Sequence, residues 1–171
     1  MALIVEDGSI VENANSYVTR EYVITYANSR GVTLPDDDTT DVLIIKAMDF
    51  VSMFDAEWVG KPVEPRVQPL AWPREYVIVG SYNVGFDEIP IELQKAVAQL
   101  VVEQNAGINL TPSTDNSAAF VVREKIDVIE TEYSEALALQ RFGNMPTMPI
   151  VMANLTPLFR NGGNRLRSVR I

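Results

Sequence analysis

The stretch Ile91-Glu92-Leu93-Gln94-Lys95-Ala96-Val97-Ala98-Gln99-Leu100-Val101-Val102-Glu103 decides the fold class of this chain. Its apolar residues recur every three or four positions, which is the spacing of an amphipathic α-helix and not the alternation of a strand. Pro90 suits the first turn of such a helix, and Gly107 suits the position after its end. The stripe that should face the core consists of Leu93, Ala96, Val97, Leu100 and Val101.

Three further helices are expected on either side of this one. Thr19 is a usable N-cap for a helix that reaches Arg30, with Gly31 as its stop. A second helix is predicted from about Thr40 to Phe54, with Asp38 or Thr39 as N-cap, and its apolar arc is broader than a surface helix needs. A short apolar helix follows near the C-terminus, over about Pro149 to Phe159.

Two regions favour β-structure. Leu3 to Val11 should form a hairpin that turns at Asp7-Gly8, and the residues from Val121 to Tyr133 are β-prone. The prediction is therefore a mainly α fold: a small bundle of about four helices with a short β-hairpin or strand element and an extended C-terminal tail. Residues 1–159 should form the helical domain, and residues 160–171 a basic, extended tail.

Two groups of residues are candidates for contacts. Trp72, Pro73 and Arg74 lie in the proline-rich segment from Gly60 to Gly85, where they either anchor a loop or touch a partner. We favour a buried anchor for Trp72 and leave Arg74 open between an acidic partner within the chain and a contact with another protein. On the third helix, the flank that should face solvent is apolar and could meet a neighbouring subunit through Ile91, Ala98 and Val102.

The composition argues against most enzyme classes. The chain contains no histidine and no cysteine, which excludes Ser-His-Asp and Cys-His catalysis and thiolate zinc sites. The acidic run Asp36-Asp37-Asp38 lacks the ligand spacing of a calcium-binding loop, and the charges between Arg123 and Glu130 are typical of a solvated strand face. We predict no catalytic, cofactor-binding or metal-binding residues and no enzyme activity, although a carboxylate enzyme stays open.

Charge is unevenly distributed. The net charge is −9, yet the tail carries only positive charges, and all 23 acidic residues lie at or before Glu135. An acidic body repels phosphate, since nucleic-acid affinity comes mainly from lysine and arginine. The basic side chains of the tail are Arg160, Arg165, Arg167 and Arg170.

Short motifs in a fixed order carry a resemblance. Ala14-Asn15-Ser16-Tyr17-Val18 precedes the first helix, Leu70-Ala71-Trp72-Pro73-Arg74 follows the second, and Leu155-Thr156-Pro157-Leu158 precedes the tail. In these motifs and over nearly its whole length, the chain resembles the head–tail connector (adaptor) proteins of tailed bacteriophages. Similar sequences are also labelled DnaT-like single-stranded DNA-binding proteins, and this is the alternative function.

The connector resemblance implies a ring, typically of twelve subunits, in the virion neck beneath the portal. Its partners would be other copies of itself, the portal protein and the next neck or tail protein, with double-stranded DNA passing through the lumen without specific binding. It implies synthesis in the host bacterial cytoplasm, no cofactor and no membrane. The arginine tail would then dock on an acidic surface of the portal or of a neighbouring subunit.

Charge favours the connector over the alternative at this stage. Single-strand binders combine a basic groove with stacking aromatic residues, whereas the aromatic residues of this chain, such as Tyr22 and Tyr76, lie among acids. An acidic ring, by contrast, would let a DNA duplex slide by repelling its phosphates.

Overall fold

A computed structural model describes residues 2–110, 123–126, 129–132 and 148–160. The mainly α prediction is confirmed: four helices account for most of the regular structure in these ranges, and a 3₁₀ turn over Thr156–Leu158 follows the last of them. The helices are α1 (Arg20–Asn28), α2 (Asp38–Ser52), α3 (Ile91–Asn105) and α4 (Pro149–Leu155).

The helices begin where local capping is available. The Thr19 hydroxyl accepts a hydrogen bond from the backbone N–H of Tyr22 at 3.1 Å, as the sequence predicts for α1. Helix α2 begins slightly earlier than expected, because the Asp37 carboxylate accepts the backbone N–H of Thr39 at 2.8 Å. Pro90 precedes α3, and Gly107 follows it with a φ of 94°, which is the left-handed geometry that ends many helices.

Helix α3 is the centre of the fold, since α1, α2 and α4 all pack against it. The predicted stripe, Leu93, Ala96, Val97, Leu100 and Val101, is fully buried. Burying one aliphatic side chain of this size contributes roughly 1.5–3 kcal/mol, so this helix supplies much of the core. Tyr26 of α1 adds a buried polar contact by donating its hydroxyl to Gln99 at 3.0 Å.

The expected solvent-facing flank of α3 is corrected in one place. Ala98 is completely buried within the subunit, because α3 is covered on more than one side. Ile91 is 46% exposed, and Val102 is half-buried. Only these two members of the predicted flank are accessible.

The expected N-terminal hairpin is wrong. Val5 forms a parallel bridge with Ser16, and residues 7–11 loop around the side chain of Glu6. The buried Glu6 carboxylate accepts backbone N–H groups from Gly8 at 2.8 Å, Ile10 at 2.9 Å and Val11 at 2.9 Å. A hairpin ladder would use backbone carbonyls as acceptors, whereas here one carboxylate serves three of these donors.

In the ranges that the structure describes, three short antiparallel pairs provide the β-structure. Two of them occupy the proline-rich segment, and the third confirms β-structure between Val121 and Tyr133. The pairs are β1 (Lys61–Pro62) with β2 (Arg74–Glu75), β3 (Val77–Val79) with β4 (Tyr82–Val84), and β5 (Arg123–Ile126) with β6 (Ile129–Glu132).

The chain divides into two compact units. One comprises Met1–Ile108 with Met148–Ile171 and contains the four helices, and the other comprises Asn109–Thr147 and contains the β5–β6 pair. The division between a domain of residues 1–159 and a tail of residues 160–171 stays a prediction.

Candidate binding surfaces

Trp72 is a core residue. Its side chain is fully buried, and its ring lies 6.2 Å from that of Trp58, edge to face. Its backbone N–H donates to the Tyr17 hydroxyl at 3.1 Å, and Pro73 beside it is also buried. Trp72 therefore holds the proline-rich segment against the helical core and presents no side-chain surface to a partner.

Arg74 ties the same segment together from within. Its guanidinium donates to the carbonyl oxygens of Val59 at 2.8 Å, Gly60 at 3.0 Å and Ala71 at 3.2 Å. Burial lowers the pKa of Arg74 from its ordinary value. Of the two roles left open, the described residues favour the one within the chain: Arg74 is buried, backbone carbonyls take its donors, and the nearby Asp55 carboxylate opposes the effect of burial on its pKa.

The β3–β4 hairpin and the residues that flank it carry four exposed apolar side chains. Tyr76, Ile78, Tyr82 and Phe86 are between 59% and 71% exposed; we call these four residues the hairpin surface. The inner face of the same hairpin is made by Val77 and Val84, which are buried and directly paired. The hairpin is thus anchored through Val77 and Val84, while Ile78 is exposed on the opposite face and Tyr82 is exposed near the turn, on the same face as Val84.

Polar contacts fix the position of this surface. Glu88 accepts the Tyr82 hydroxyl at 3.0 Å and the backbone N–H of Gly85 at 3.1 Å, and the bond to Glu88 raises the pKa of Tyr82. The ammonium of Lys61 lies 5.5 Å from the centroid of the Tyr76 ring, within cation–π range. One cation, Lys61, therefore lies against one of the exposed aromatic rings of the hairpin surface.

The sequence interpretation missed the hairpin surface. It described the residues from Gly60 to Gly85 only as a proline-rich segment. The available signal was the continuous β-prone run Tyr76-Val77-Ile78-Val79 followed by Gly80 and Tyr82, because this is a short strand, a turn residue and a return.

Only part of the predicted tail site can be placed. Arg160 is exposed, and its backbone N–H donates to the carbonyl of Glu57 at 2.8 Å. Arg165, Arg167 and Arg170 lie outside the described residues.

Two negative findings apply to the described ranges only. They contain no group of three or more acidic side chains arranged to hold a metal ion. No helix among them has the length and apolar character needed to cross a bilayer.

Comparisons with known proteins bear on the family. No curated protein and no solved structure matches the chain. One family model does, and it agrees with the alternative label and not with the head–tail connector resemblance, which is not confirmed. The match extends over residues 1–171, and the chain therefore belongs to the family described as "Putative DnaT-like ssDNA binding protein".

Proposed function

We propose that this protein works by binding and not by catalysis, and that its ligand is single-stranded DNA held on the hairpin surface. The observation that carries the proposal is the exposure of three aromatic rings, Tyr76, Tyr82 and Phe86, on the β3–β4 hairpin and the residues directly before and after it. The family description supports the same ligand.

Stacking provides most of the attraction in this proposal. An aromatic ring that stacks on a base contributes about 1–3 kcal/mol and does not select a particular base. Three accessible rings can therefore hold a short run of unpaired bases, whereas a duplex keeps its bases stacked on one another and offers no free faces. Preference for single strands over duplex follows from this difference.

Electrostatics contributes little in the same proposal. Residues 2–110 carry 17 acidic and seven basic side chains, and Lys61 is the cation placed against one of the rings. One phosphate contact by Lys61 predicts a slope of log affinity against log salt of about −0.7, and a steeper slope would require further cations such as the tail arginines. Binding should therefore be weak at low salt and persist as salt is raised.

Fluorescence anisotropy with a labelled oligothymidine tests this function. A hairpin duplex of the same number of nucleotides is the control ligand, and both are titrated at several salt concentrations. Saturable binding to the single strand, with a shallow salt slope and much weaker binding to the duplex, is expected. Equal affinity for both ligands, or no binding to either, would refute the proposal.

A second candidate is the ring-forming head–tail connector, favoured by a different observation. The excess of acid over base in residues 2–110 suits a channel for duplex DNA, and exposed apolar side chains are typical of surfaces that join proteins. In this candidate the chain would be a virion component of the phage neck, with the portal, a further neck or tail protein and copies of itself as partners.

Mass and shape in solution distinguish the two candidates. Light scattering and negative-stain microscopy would be applied to the purified chain, alone and mixed with a portal protein. Rings, formed alone or on the portal, together with no affinity for oligothymidine would favour the connector. A small species that ignores the portal and binds oligothymidine would favour single-stranded DNA binding.

A further inference from the structure

A groove runs between strand β3 and the end of helix α4. Its volume is about 650 Å³, enough for a few side chains. Most of its lining is apolar. The lining also includes Arg160, after which the chain is no longer described. The lining includes Val59, Ile78, Ala153, Pro157, Phe159 and Arg160.

The walls of this groove are fixed before anything binds. The Phe159 ring stacks on that of Trp58, with centroids 5.1 Å apart, and Trp58 is fully buried. The backbone N–H of Val59 donates to the carbonyl of Leu158 at 2.9 Å, which joins the two sides. Ile78 is nevertheless 64% exposed, so the groove presents apolar surface that nothing in the described ranges covers.

The chain itself leaves from this groove. Arg160 lines it, and eleven residues follow, Asn161-Gly162-Gly163-Asn164-Arg165-Leu166-Arg167-Ser168-Val169-Arg170-Ile171. The first four contain two glycines and permit a reversal of direction. The remaining seven hold three arginines and three apolar side chains, Leu166, Val169 and Ile171.

We propose that the C-terminal segment from Leu166 to Ile171 binds in this groove of its own subunit. Five residues separate Arg160 from Leu166, and the six Cα–Cα steps between them reach up to about 20 Å when extended, which allows the chain to turn back into a groove that Arg160 itself lines. The tether gives an effective concentration on the order of mM, so even weak apolar contacts keep the segment bound. The positive charge of the segment is complementary to the acidic body, whose residues 2–110 hold 17 acidic side chains against seven basic ones.

Docking in this position has one consequence for the hairpin. Ile78 belongs both to the groove and to the hairpin surface, so a docked segment brings its arginines toward the rings that we propose stack on DNA. This consequence rests on the proposed function, whereas the docking itself does not.

Disulfide trapping in the full chain tests the docking, because the natural sequence has no cysteine to interfere. Ile78→Cys is combined with Leu166→Cys, Val169→Cys or Ile171→Cys. A disulfide requires a Cβ–Cβ separation of roughly 3.5–4.5 Å, so the three partner positions sample different alignments of the segment in the groove. The control is Val67→Cys with the same partners, because Val67 is 72% exposed and does not line the groove. Neither substitution removes a core side chain, and unchanged thermal melting of the reduced proteins verifies this.

At least one pair with Ile78→Cys should form an intramolecular disulfide several-fold faster than its Val67→Cys control. Reversing the charge of the segment with Arg165→Asp and Arg167→Asp should slow disulfide formation. Leu166→Asp, used in the pairs with cysteine at position 169 or 171, should slow it as well, because it removes an apolar contact. Equal rates at positions 78 and 67 would overturn the proposal. A covalent dimer as the main product would also overturn it, because the occupant would then be the segment of a second copy. No nucleic acid is present in this assay, so its failure leaves single-stranded DNA binding untouched.

Discussion

The backbone N–H of Trp72 donates a hydrogen bond to the hydroxyl oxygen of Tyr17, 55 residues earlier, at 3.1 Å. This bond joins Ala14-Asn15-Ser16-Tyr17-Val18 to Leu70-Ala71-Trp72-Pro73-Arg74, the two most specific motifs of the sequence. Both residues are buried, and burial raises the pKa of the Tyr17 phenol, which keeps the hydroxyl neutral. The two motifs therefore form one structural junction between the N-terminal loop and the proline-rich segment.

Replacing Tyr17→Phe should destabilise the fold by about 1–3 kcal/mol, because a buried backbone N–H loses its acceptor. The free energy of unfolding in urea measures the effect. Tyr22→Phe is the matched control on a half-buried tyrosine, and we expect a change of less than about 0.5 kcal/mol there. Equal effects of the two substitutions would show that the bond to Trp72 contributes nothing.

Gly8→Ala should destabilise much more than Gly31→Ala. A Cβ at position 8 would clash with the backbone carbonyl of Asp87, and Gly8 has a φ of 106°, whereas Gly31 has a φ of 73° and no neighbouring atom within 4 Å of such a Cβ. The control Gly31→Ala therefore measures the cost of placing an alanine at positive φ, about 1–2 kcal/mol, without a steric clash. Urea unfolding of both variants gives the difference, and similar values would mean that the loop around Glu6 shifts away from Asp87 at little cost.

Arg74→Lys should destabilise the fold by about 2 kcal/mol or more, because a lysine ammonium cannot donate to three carbonyls with the geometry of a guanidinium. Arg66→Lys is the control at an exposed arginine of the same segment, with an expected change within about 0.5 kcal/mol. Thermal unfolding followed by circular dichroism compares them. If Arg74 bound a partner and did not stabilise the fold, the two variants would have the same melting temperature.

Asp41 should make stability depend on pH in the acid range. Its carboxylate accepts from Arg20 Nε at 2.7 Å and from Nη2 at 2.5 Å, and this hydrogen-bonded pairing holds the pKa of Asp41 below its ordinary value. The unfolded chain therefore takes up the proton first, so the stabilisation is present above pH ~3.9 and is lost as the pH falls through the folded-state pKa.

Chemical unfolding of the wild type and Asp41→Asn at several pH values measures this contribution. The wild type should be the more stable protein at neutral pH, and the gap should close as the pH falls below about 4. Asp49→Asn is the control at an exposed carboxylate of the same helix. A gap that stays constant with pH would show that the Arg20 pairing does not depend on the charge of Asp41.

Tyr82→Ala and Phe86→Ala should each weaken binding to oligothymidine by about 1–3 kcal/mol, the contribution of one stacked base. Val67→Ala removes an equally exposed but non-aromatic side chain and should leave the affinity unchanged. Anisotropy titrations at one salt concentration compare the three variants. Uniform affinities would move the DNA site away from the hairpin surface.

Several features of this protein follow from the sequence alone. The 3.6-residue spacing of Leu93, Ala96 and Leu100 predicts helix α3 and its buried stripe, and Thr19 predicts the start of α1. These predictions succeed because spacing and capping are local properties, determined by residues within one or two turns. The absence of histidine and cysteine likewise limits the available chemistry without reference to any fold.

Tertiary structure decided between local structures, and between buried and exposed faces, that the local sequence patterns could not distinguish. Asp7-Gly8 fits a hairpin turn as well as the observed loop, and the buried carboxylate of Glu6 selects the loop by satisfying three backbone donors. Helical spacing shows which side of α3 is apolar, but only packing of three helices around α3 buries Ala98 as well. Alternation along β3 predicts two faces, but only docking of Val77 on the core leaves Ile78 in water. Periodicity assigns residues to faces, and the number of faces that are covered depends on the neighbours that the fold brings together.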